Sequence, residues 1–306
     1  MTSATMTISP AGRPLGAVAI ALVVMLCLSW GFNQIAVKLA LPEIPPFTQA
    51  AIRSFGGLLV VMLAARMRGV TMFARDGTLW SGLLAGLLFG AEFVLIYPGL
   101  QLTSASRAVV FLYAAPFVVA LGSRFLWGER LSGMQWAGLG LSFLGLALAM
   151  GLPQPSVDTK TLIGDAMLLI AGVIWGATTL VIKASRLLQA PPEKMLAYQL
   201  AVSTPMLAAG ALLFGETVSA WPSAIPLISM IYQTFWVVGT TFLIWFVLIK
   251  SYSANKLSAF TFLTPLFGVI GGTLILNDPI TPAFVVAALL VIAGLVLVNR
   301  PPAKSR

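Results

Sequence analysis

Residues 103–119 read TSASRAVVFLYAAPFVV, and residues 252–268 read YSANKLSAFTFLTPLFG. Aligned without a gap over 47 positions, these two regions of the chain share nine identities. Matched apolar residues carry little information in so apolar a chain, whereas matched proline and charged positions carry more. The informative pairs are Pro116/Pro265, Arg107/Lys256 and Glu129/Asp278.

The match extends toward the N-terminus of each region. Upstream, Trp30, Gly31, Lys38, Pro45 and Pro46 reappear as Trp175, Gly176, Lys183, Pro191 and Pro192. Self-similarity of this length indicates an internal duplication. The chain therefore consists of two related halves.

The composition indicates whether these halves lie in water or in a lipid bilayer. The 306 residues are 59% hydrophobic and 9% charged, with a mean hydropathy of +0.98. Soluble domains have roughly 45–50% apolar and 25% charged residues. This chain is therefore predicted to be an integral membrane protein.

Several kinds of chemistry are disfavoured by what the sequence lacks. There is no histidine, which argues against imidazole metal sites and Ser-His-Asp catalysis. We predict no cofactor, no metal site and no enzymatic activity. The net charge of +9 is spread between apolar runs, so we expect no nucleic-acid partner.

A bilayer core of roughly 30 Å requires about 20 apolar residues per helix. Cutting the chain at charged, proline and polar interruptions predicts an all-α membrane fold with ten transmembrane helices. The predicted spans are 15–38, 46–66, 79–99, 104–125, 134–152, 164–186, 192–214, 225–249, 254–276 and 281–299.

These spans divide the chain into five parts. They are an N-terminal tail at 1–14, a first repeat at 15–152, a linker at 153–163, a second repeat at 164–299 and a C-terminal tail at 300–306. Because each repeat has five spans, an odd number, the second repeat must enter the membrane from the opposite side. Two inverted repeats can expose one central site alternately to either side.

The basic residues predict the orientation. With a cytoplasmic N-terminus, 14 of the 18 lysines and arginines lie on the inner side. The positive-inside rule therefore favours a multi-pass protein of the cell inner membrane, with both termini cytoplasmic.

At this point the chain resembles a known family. The resembling residues are Ser29–Gly31, Arg53, the stretch from Ser104 to Pro116, and GERLSGMQWAGLGLSFLGL at 128–146. Together they are similar to the EamA branch of the drug/metabolite transporter superfamily, most of all to bacterial amino-acid exporters. The resemblance implies export of amino acids or similar metabolites. The second repeat departs from it, with Gln199 in place of Arg53 and Asn277–Pro279 in place of Gly128–Arg130.

Glu92 is the one acid deep inside a predicted span, where an ionisable group is costly and usually functional. Gly82, Gly86 and Gly90 should form a close-packing ridge on the same helix. Glu92 lies about 200° around the helix from Gly90 and should point away from that ridge. It could carry a proton, bind a substrate amine or pair with Arg53.

Arg53 lies roughly 10 Å into the second span. It could extend to the membrane surface, or it could bind an anion such as a substrate carboxylate, which a planar guanidinium suits.

Other candidates are polar or aromatic residues of the spans. The polar residues could line the cavity or form interhelical hydrogen bonds. The aromatic residues could line the cavity, pack or belong to the interfacial belt. The two prolines could act as hinges. The members are Asn33, Gln49, Thr178 and Gln199; Trp30, Tyr97, Tyr113, Trp175, Trp236 and Trp245; and Pro116 and Pro265.

The predicted function is therefore secondary transport of a small molecule through the bilayer. The chain has no phosphate-binding loop, so any active transport should use an ion gradient, with protons as one candidate. No obligate protein partner is implied. The alternatives are a multidrug exporter of aromatic or quaternary ammonium cations, in which Glu92 supplies charge and tryptophans supply stacking surface, and a membrane-embedded transferase.

Overall fold

A computed structural model describes residues 15–103, 105–151, 158–276 and 282–299 of the chain. The regular elements in this part of the chain are helices. Both predicted tails and residues 153–157 of the predicted linker lie outside the described residues. The part of the linker that is described belongs to the next helix, which begins at Thr159 behind an Asp158 N-cap.

The helices follow the predicted spans closely. They are α1 (Ala17–Ala40), α2 (Pro46–Met67), α3 (Leu79–Leu102), α4 (Ala105–Leu112), α5 (Ala115–Trp127), α6 (Gly133–Ala149), α7 (Thr159–Ala184), α8 (Pro192–Leu213), α9 (Ala224–Ile231), α10 (Phe242–Ser251), α11 (Ala254–Phe260), α12 (Leu263–Leu276) and α13 (Pro282–Asn299). A 3-10 turn at Arg186–Gln189 precedes α8, and a π-helical segment at Tyr232–Thr241 joins α9 to α10.

Within the described residues, nine helical stretches are long and apolar enough to cross a membrane. Three of them combine elements: α4 with α5, α9 with α10 through the π segment, and α11 with α12. The remaining apolar helix, α6, has 17 residues. An all-α membrane fold is confirmed, and ten spans remain a prediction that requires α6 to cross as well.

The fourth helix of each half is broken at the same place. Short i→i+3 hydrogen bonds interrupt it, Ala114 N to Phe111 O at 3.1 Å and Phe262 N to Ala259 O at 3.2 Å. Pro116 then opens α5, and Pro265 lies in the first turn of α12. Proline cannot donate a backbone hydrogen bond, so it is tolerated where a helix restarts.

The helices of one half pack mainly on those of the other. The main pairs are α6 with α13, α2 with α8, α3 with α7 and α8, α1 with α12, and α7 with α4 and α5. Small residues permit close approach: a Cβ on Gly145 would lie 2.7 Å from the Ala287 carbonyl oxygen. This packing of backbone on backbone is typical of helices in lipid, where dispersion replaces the hydrophobic effect.

Side-chain contacts gather the loops at two ends of the bundle. One end, which we call the basic end, contains residues 66–78, 127–132, 183–194 and 250–256 and carries many of the lysines and arginines. The opposite end contains residues 38–48, 99–103, 105–107, 158–165 and 214–223. The fold thus gathers basic residues at one end of the bundle, and the cytoplasmic orientation of that end stays a prediction.

Candidate functional site

Arg53 lies in the middle of the bundle on α2. It is 5% exposed, and its guanidinium carbon lies 4.7 Å from the centre of the Phe93 ring on α3. Its Nε has no hydrogen-bond partner. Arg53 therefore does not extend to the membrane surface, and a buried N–H donor is left free for an acceptor.

Glu92, next to Phe93 on α3, is partly buried and is influenced electrostatically by Arg53. Among the described residues, no ion pair within 4.0 Å joins the two side chains. The cation and the acid therefore lie close without neutralising each other in a hydrogen-bonded pair.

The predicted glycine ridge on α3 is confirmed. A Cβ on Gly86 would lie 2.6 Å from the backbone oxygen of Tyr198 on α8, and one on Gly82 would lie 2.3 Å from the Tyr198 ring. The ridge seats α3 against α8, while Phe93 on the same helix meets Arg53 of α2.

Gln49 joins this region to the second half. It lies one turn before Arg53 on α2 and is buried. Its Nε2 donates to the Ile44 carbonyl at 2.7 Å, and its Oε1 accepts from Gln233 Nε2 of the π segment at 3.2 Å. Gln233 is fully buried, and its own Oε1 has no partner.

The aromatic residues form two separate groups. In one, Trp30 makes edge contacts with Trp245 at 5.4 Å and Phe242 at 6.1 Å, and its indole donates to Thr241 Oγ1 at 2.9 Å. Tyr97 packs edge-on against Phe47 near Arg53. These rings border the region of α1 to α3 that contains Arg53.

The second aromatic group lies around α4 and α7. Tyr113 contacts Trp175 at 5.5 Å and Phe262 at 5.8 Å. Thr178 donates to the Ile174 carbonyl of its own helix at 2.9 Å, so its hydroxyl is already occupied. Gln199 on α8 and Asn33 on α1 are buried with unpaired atoms, Nε2 and Oδ1 respectively.

Trp236 lies apart from both groups. It is 40% exposed, and its indole donates to Ser29 Oγ at 3.0 Å. A cavity of about 420 Å³ opens beside Ser29 between α1 and α9, and its largely apolar lining includes Phe32, Ile228 and Tyr232. None of the predicted site residues lines that cavity.

Each half holds the start of the other half's second helix. At the opposite end, the Glu216 carboxylate accepts hydrogen bonds from Phe47 N at 3.0 Å, Thr48 N at 2.7 Å and Thr48 Oγ1 at 2.8 Å. A carboxylate suits a helix N-terminus, where backbone N–H groups are free. We call this the opposite-end contact.

At the basic end, Lys194 donates to Asp76 Oδ2 at 2.8 Å and to the Ala74 carbonyl at 2.9 Å. Lys194 is 2% exposed. Hydrogen bonds from Lys194 and Thr78 lower the pKa of Asp76 to about 2. We call this the basic-end contact; Thr48 and Lys194 are the third residues of α2 and α8.

Several residues of these arrangements were missed from sequence, among them Gln233, Lys194, Asp76, Glu216 and Asp165. Asp165 accepts a hydrogen bond from Thr103 at 2.7 Å and pairs with Arg107, all buried at the opposite end. The signal for Asp165 was present, since a buried aspartate near a helix start needs a cation. It was lost because the span was cut at residue 164, five residues after α7 begins.

Comparisons with known proteins agree with this architecture. The profile of the EamA-like transporter family matches residues 17–151 and again 162–300. An uncharacterized transporter, YoaV, of Bacillus subtilis is 25% identical over 89% of this chain and 94% of its own length. A probable amino-acid metabolite efflux pump of Escherichia coli K12 is 24% identical over 90% and 92% respectively. A crystal structure at 20% identity superposes with a TM-score of 0.79 over 92% of this chain and 96% of that one, which supports the fold alone.

Proposed function

The chain belongs to the EamA-like transporter family, and on that premise we propose that it exports amino acids or closely related metabolites by alternating access. Its family membership confirms the resemblance found in the sequence, and the chain is a multi-pass membrane protein. The substrate class is suggested by a relative named as a probable amino-acid metabolite efflux pump. We assign it to the cell inner membrane with cytoplasmic termini.

The buried Arg53 is the observation that carries this proposal. An arginine inside a membrane protein is costly, and here its Nε–H has no acceptor. A guanidinium is suited to binding a carboxylate through two parallel hydrogen bonds. A substrate carboxylate would supply the acceptor that the protein does not.

Glu92 supplies the second pole of the proposed site. It lies close to Arg53 without forming an ion pair within 4.0 Å, so an ammonium group could approach it. A zwitterion placed between Arg53 and Glu92 would find a partner for each charged end. Neither an uncharged lipid nor a simple cation would match both poles.

The surrounding rings support tolerance for varied substrate side chains. Trp30, Trp245 and Phe242 pack edge to face beside α2 and α3. Apolar and aromatic walls with few polar anchors are typical of small-molecule sites. Tyr113 belongs to a second ring group near α7, and the surface position of Trp236 makes it the weakest member of the predicted wall.

The paired end contacts support alternating access. The contact between Glu216 and Thr48 and the contact between Asp76 and Lys194 lie at opposite ends, at equivalent positions of the two halves. The helix packing has the same symmetry. In one half α1 packs on α12, and its counterpart α7 packs on α4 and α5, which are the counterparts of α11 and α12. Two inverted halves that release one end contact at a time would open the site to one side at a time.

Transport against a gradient would draw on protons in this proposal. The sequence has no phosphate-binding loop, and Glu92 is an acid within a span. Protonation of Glu92 in exchange for a substrate ammonium would couple the two fluxes.

Counterflow in proteoliposomes tests the proposal. Proteoliposomes that contain the full chain are loaded with each of the twenty amino acids in turn. Amino-acid methyl esters and tetraphenylphosphonium are then tested as competitors of the exchange. We expect an amino acid to exchange and its methyl ester to compete about ten- to a hundred-fold more weakly, since one charge-assisted hydrogen bond is lost.

An ester that competes as well as its parent would remove the role of the carboxylate. Strong competition by tetraphenylphosphonium, with no amino-acid exchange, would instead favour the multidrug exporter. The edge-packed rings of Phe89 and Phe93, on the same helix as Glu92, are the feature that supports that alternative.

A further inference from the structure

The π segment crosses α2 on both sides of Arg53. Residues 49, 53 and 56 lie on one face of α2, because side chains at i, i+4 and i+7 share a face. Gln233 bonds to Gln49, and a Cβ on Gly56 would lie 2.7 Å from Thr234 Cγ2. Arg53 is therefore bracketed by two contacts with the π segment and lies within about one helical turn of Gln233.

The orientation of the Gln233 amide is fixed by a chain of hydrogen bonds. Gln49 Nε2 donates to the Ile44 carbonyl at 2.7 Å, which leaves Gln49 Oε1 facing the π segment. Gln233 must then present its nitrogen to that oxygen, at 3.2 Å. Its own Oε1 is left buried and without a hydrogen-bond partner.

One region between the halves thus holds an unpaired donor and an unpaired acceptor. The donor is Arg53 Nε–H, and the acceptor is Gln233 Oε1. The two do not bond to each other, and buried polar groups without partners are uncommon in native proteins. A ligand with an acceptor group and a donor group side by side would pair both of them.

We propose that Gln233 is a specificity-determining residue whose Oε1 accepts a hydrogen bond from the α-ammonium group of an amino acid held by Arg53. This inference rests on the proposed function and deepens it. An ammonium group has three N–H donors, so Glu92 can supply charge while Gln233 supplies a directed hydrogen bond. The π segment belongs to the second half, so the site would draw one ligand group from each half.

The preference for a free amine over an N-acetylated one reports on this contact, because acetylation removes the positive charge and two of the three N–H donors and adds bulk at the nitrogen that faces Gln233. The probes are the amino acid with the fastest counterflow and its N-acetyl derivative, and the protein is the full chain in proteoliposomes. In the unmodified protein we expect the N-acetyl compound to compete at least ten-fold more weakly than the parent. Gln233→Leu should reduce that preference by about ten-fold, mainly through weaker binding of the parent.

Two further variants separate recognition from packing. Gln233→Glu keeps an acceptor oxygen and should keep or increase the preference. Thr240→Val, on the same π segment with a hydroxyl bonded to Phe235 O, should leave the preference within two-fold. A purely structural Gln233 would lower transport of both probes equally in Gln233→Leu.

The outcomes keep the two proposals apart. If amino acids exchange and Gln233→Leu retains the full preference for the free amine, the role of Gln233 is wrong while the exporter function stands. If no amino acid exchanges in the unmodified protein, the proposed function fails, and the present inference fails with it.

Discussion

Two equivalent interfaces of the duplicated fold are built differently. In the first, α3 brings Gly82, Gly86 and Gly90 against α8, and the closest approaches include the backbone of Tyr198. In the second, the counterpart of α3 contains the π segment, and the glycines lie on both elements, Gly56 and Gly57 on α2 and Gly239 in the π segment. There, Cβ atoms on Gly56 and Gly57 would meet side-chain methyls of Thr234 and Val238.

This difference separates a packing role from a binding role. The α3–α8 interface is close-packed along its ridge, where backbone meets side chain and backbone. The interface between α2 and the π segment contains Gln49, Arg53 and Gln233, with two unpaired polar atoms. Wide π turns occur frequently at functional sites. We propose that duplication allowed one interface to specialise in rigidity and the other in recognition.

The largest effect should come from filling the close-packed interface. Gly86→Ala places a methyl 2.6 Å from the Tyr198 carbonyl oxygen, which cannot move alone, and should cost about 1–3 kcal/mol of stability. Gly57→Ala meets a Val238 methyl at 2.4 Å, which can rotate away, and should cost less. Thermal unfolding in detergent measures both.

Gly140→Ala is the matched control, since a Cβ there has nothing within 4 Å. Its unfolding temperature should not fall below that of the unmodified protein, since alanine favours a helix over glycine. Equal losses of stability in the Gly86→Ala and Gly57→Ala variants would contradict the difference in packing between the two interfaces.

Glu92→Gln tests the role of the negative charge that α3 contributes to the proposed site. We expect it to abolish accumulation driven by a pH gradient, because no proton can be exchanged, while counterflow without a gradient continues. Glu43→Gln, in an exposed loop, should respond to the gradient normally. Gradient-driven transport that survives in Glu92→Gln would reduce Glu92 to a structural residue.

Arg53 and Gln199 occupy the same position of the two halves, and substituting each to alanine compares them directly. Arg53→Ala should weaken amino-acid binding about ten- to a hundred-fold and remove the discrimination against methyl esters. Gln199→Ala should change binding less than three-fold, since a neutral amide contributes less than a charged donor. Competition counterflow measures both, and similar losses would contradict the asymmetry.

The end contacts should have smaller and opposite effects. With a reporter Thr234→Cys on a Cys27→Ser background, labelling by an impermeant thiol reagent from outside reports opening. Glu216→Gln should raise labelling about three- to ten-fold and Asp76→Asn should lower it, since a single polar contact contributes modestly to the balance between the two states. Shifts in the same direction would show that the contacts do not oppose each other.

The smallest effect concerns pH. The pKa of Asp76 is lowered to about 2, so its contact with Lys194 is fully present above its ordinary pKa of 3.8 and is lost as pH falls toward 2. Between pH 5 and 8 this contact should therefore not change. Labelling of the reporter across that range should have the same profile in the parent protein and in the Asp76→Asn variant, and a profile that flattens in the variant would contradict this.

The spans could be predicted because lipid imposes a length on them. The span predicted at 46–66 is observed at Pro46–Met67, and the one predicted at 254–276 is observed there with a break before Pro265. The need for about 20 apolar residues per crossing leaves little freedom in where a span lies. The glycine ridge of α3 followed from the same kind of reasoning about contact. The sequence alone left open whether Arg53 reaches the membrane surface, and its burial came from the structure.

The site could be predicted only in part, because its remaining members depend on distant partners. The orientation of the Gln233 side chain depends on its hydrogen bond to Gln49, which is 184 residues away in the sequence. The π segment also changes the angle between successive side chains, so a 3.6-residue period does not locate Trp236, which lies at the surface. No local sequence pattern in residues 232–241 predicts π-helical turns.

The buried pair of Arg107 and Asp165 has a consequence for the making of this protein. Arg107 on α4 has its carboxylate partner 58 residues later, on α7. At roughly 5–20 residues per second of synthesis, α4 would wait on the order of 3–12 s for that partner. During this interval the Arg107 side chain lacks this carboxylate, and a charged side chain in the membrane is costly unless its charge is compensated. We expect α4 to remain beside the insertion machinery until α7 emerges, which makes the second half a participant in the biogenesis of the first.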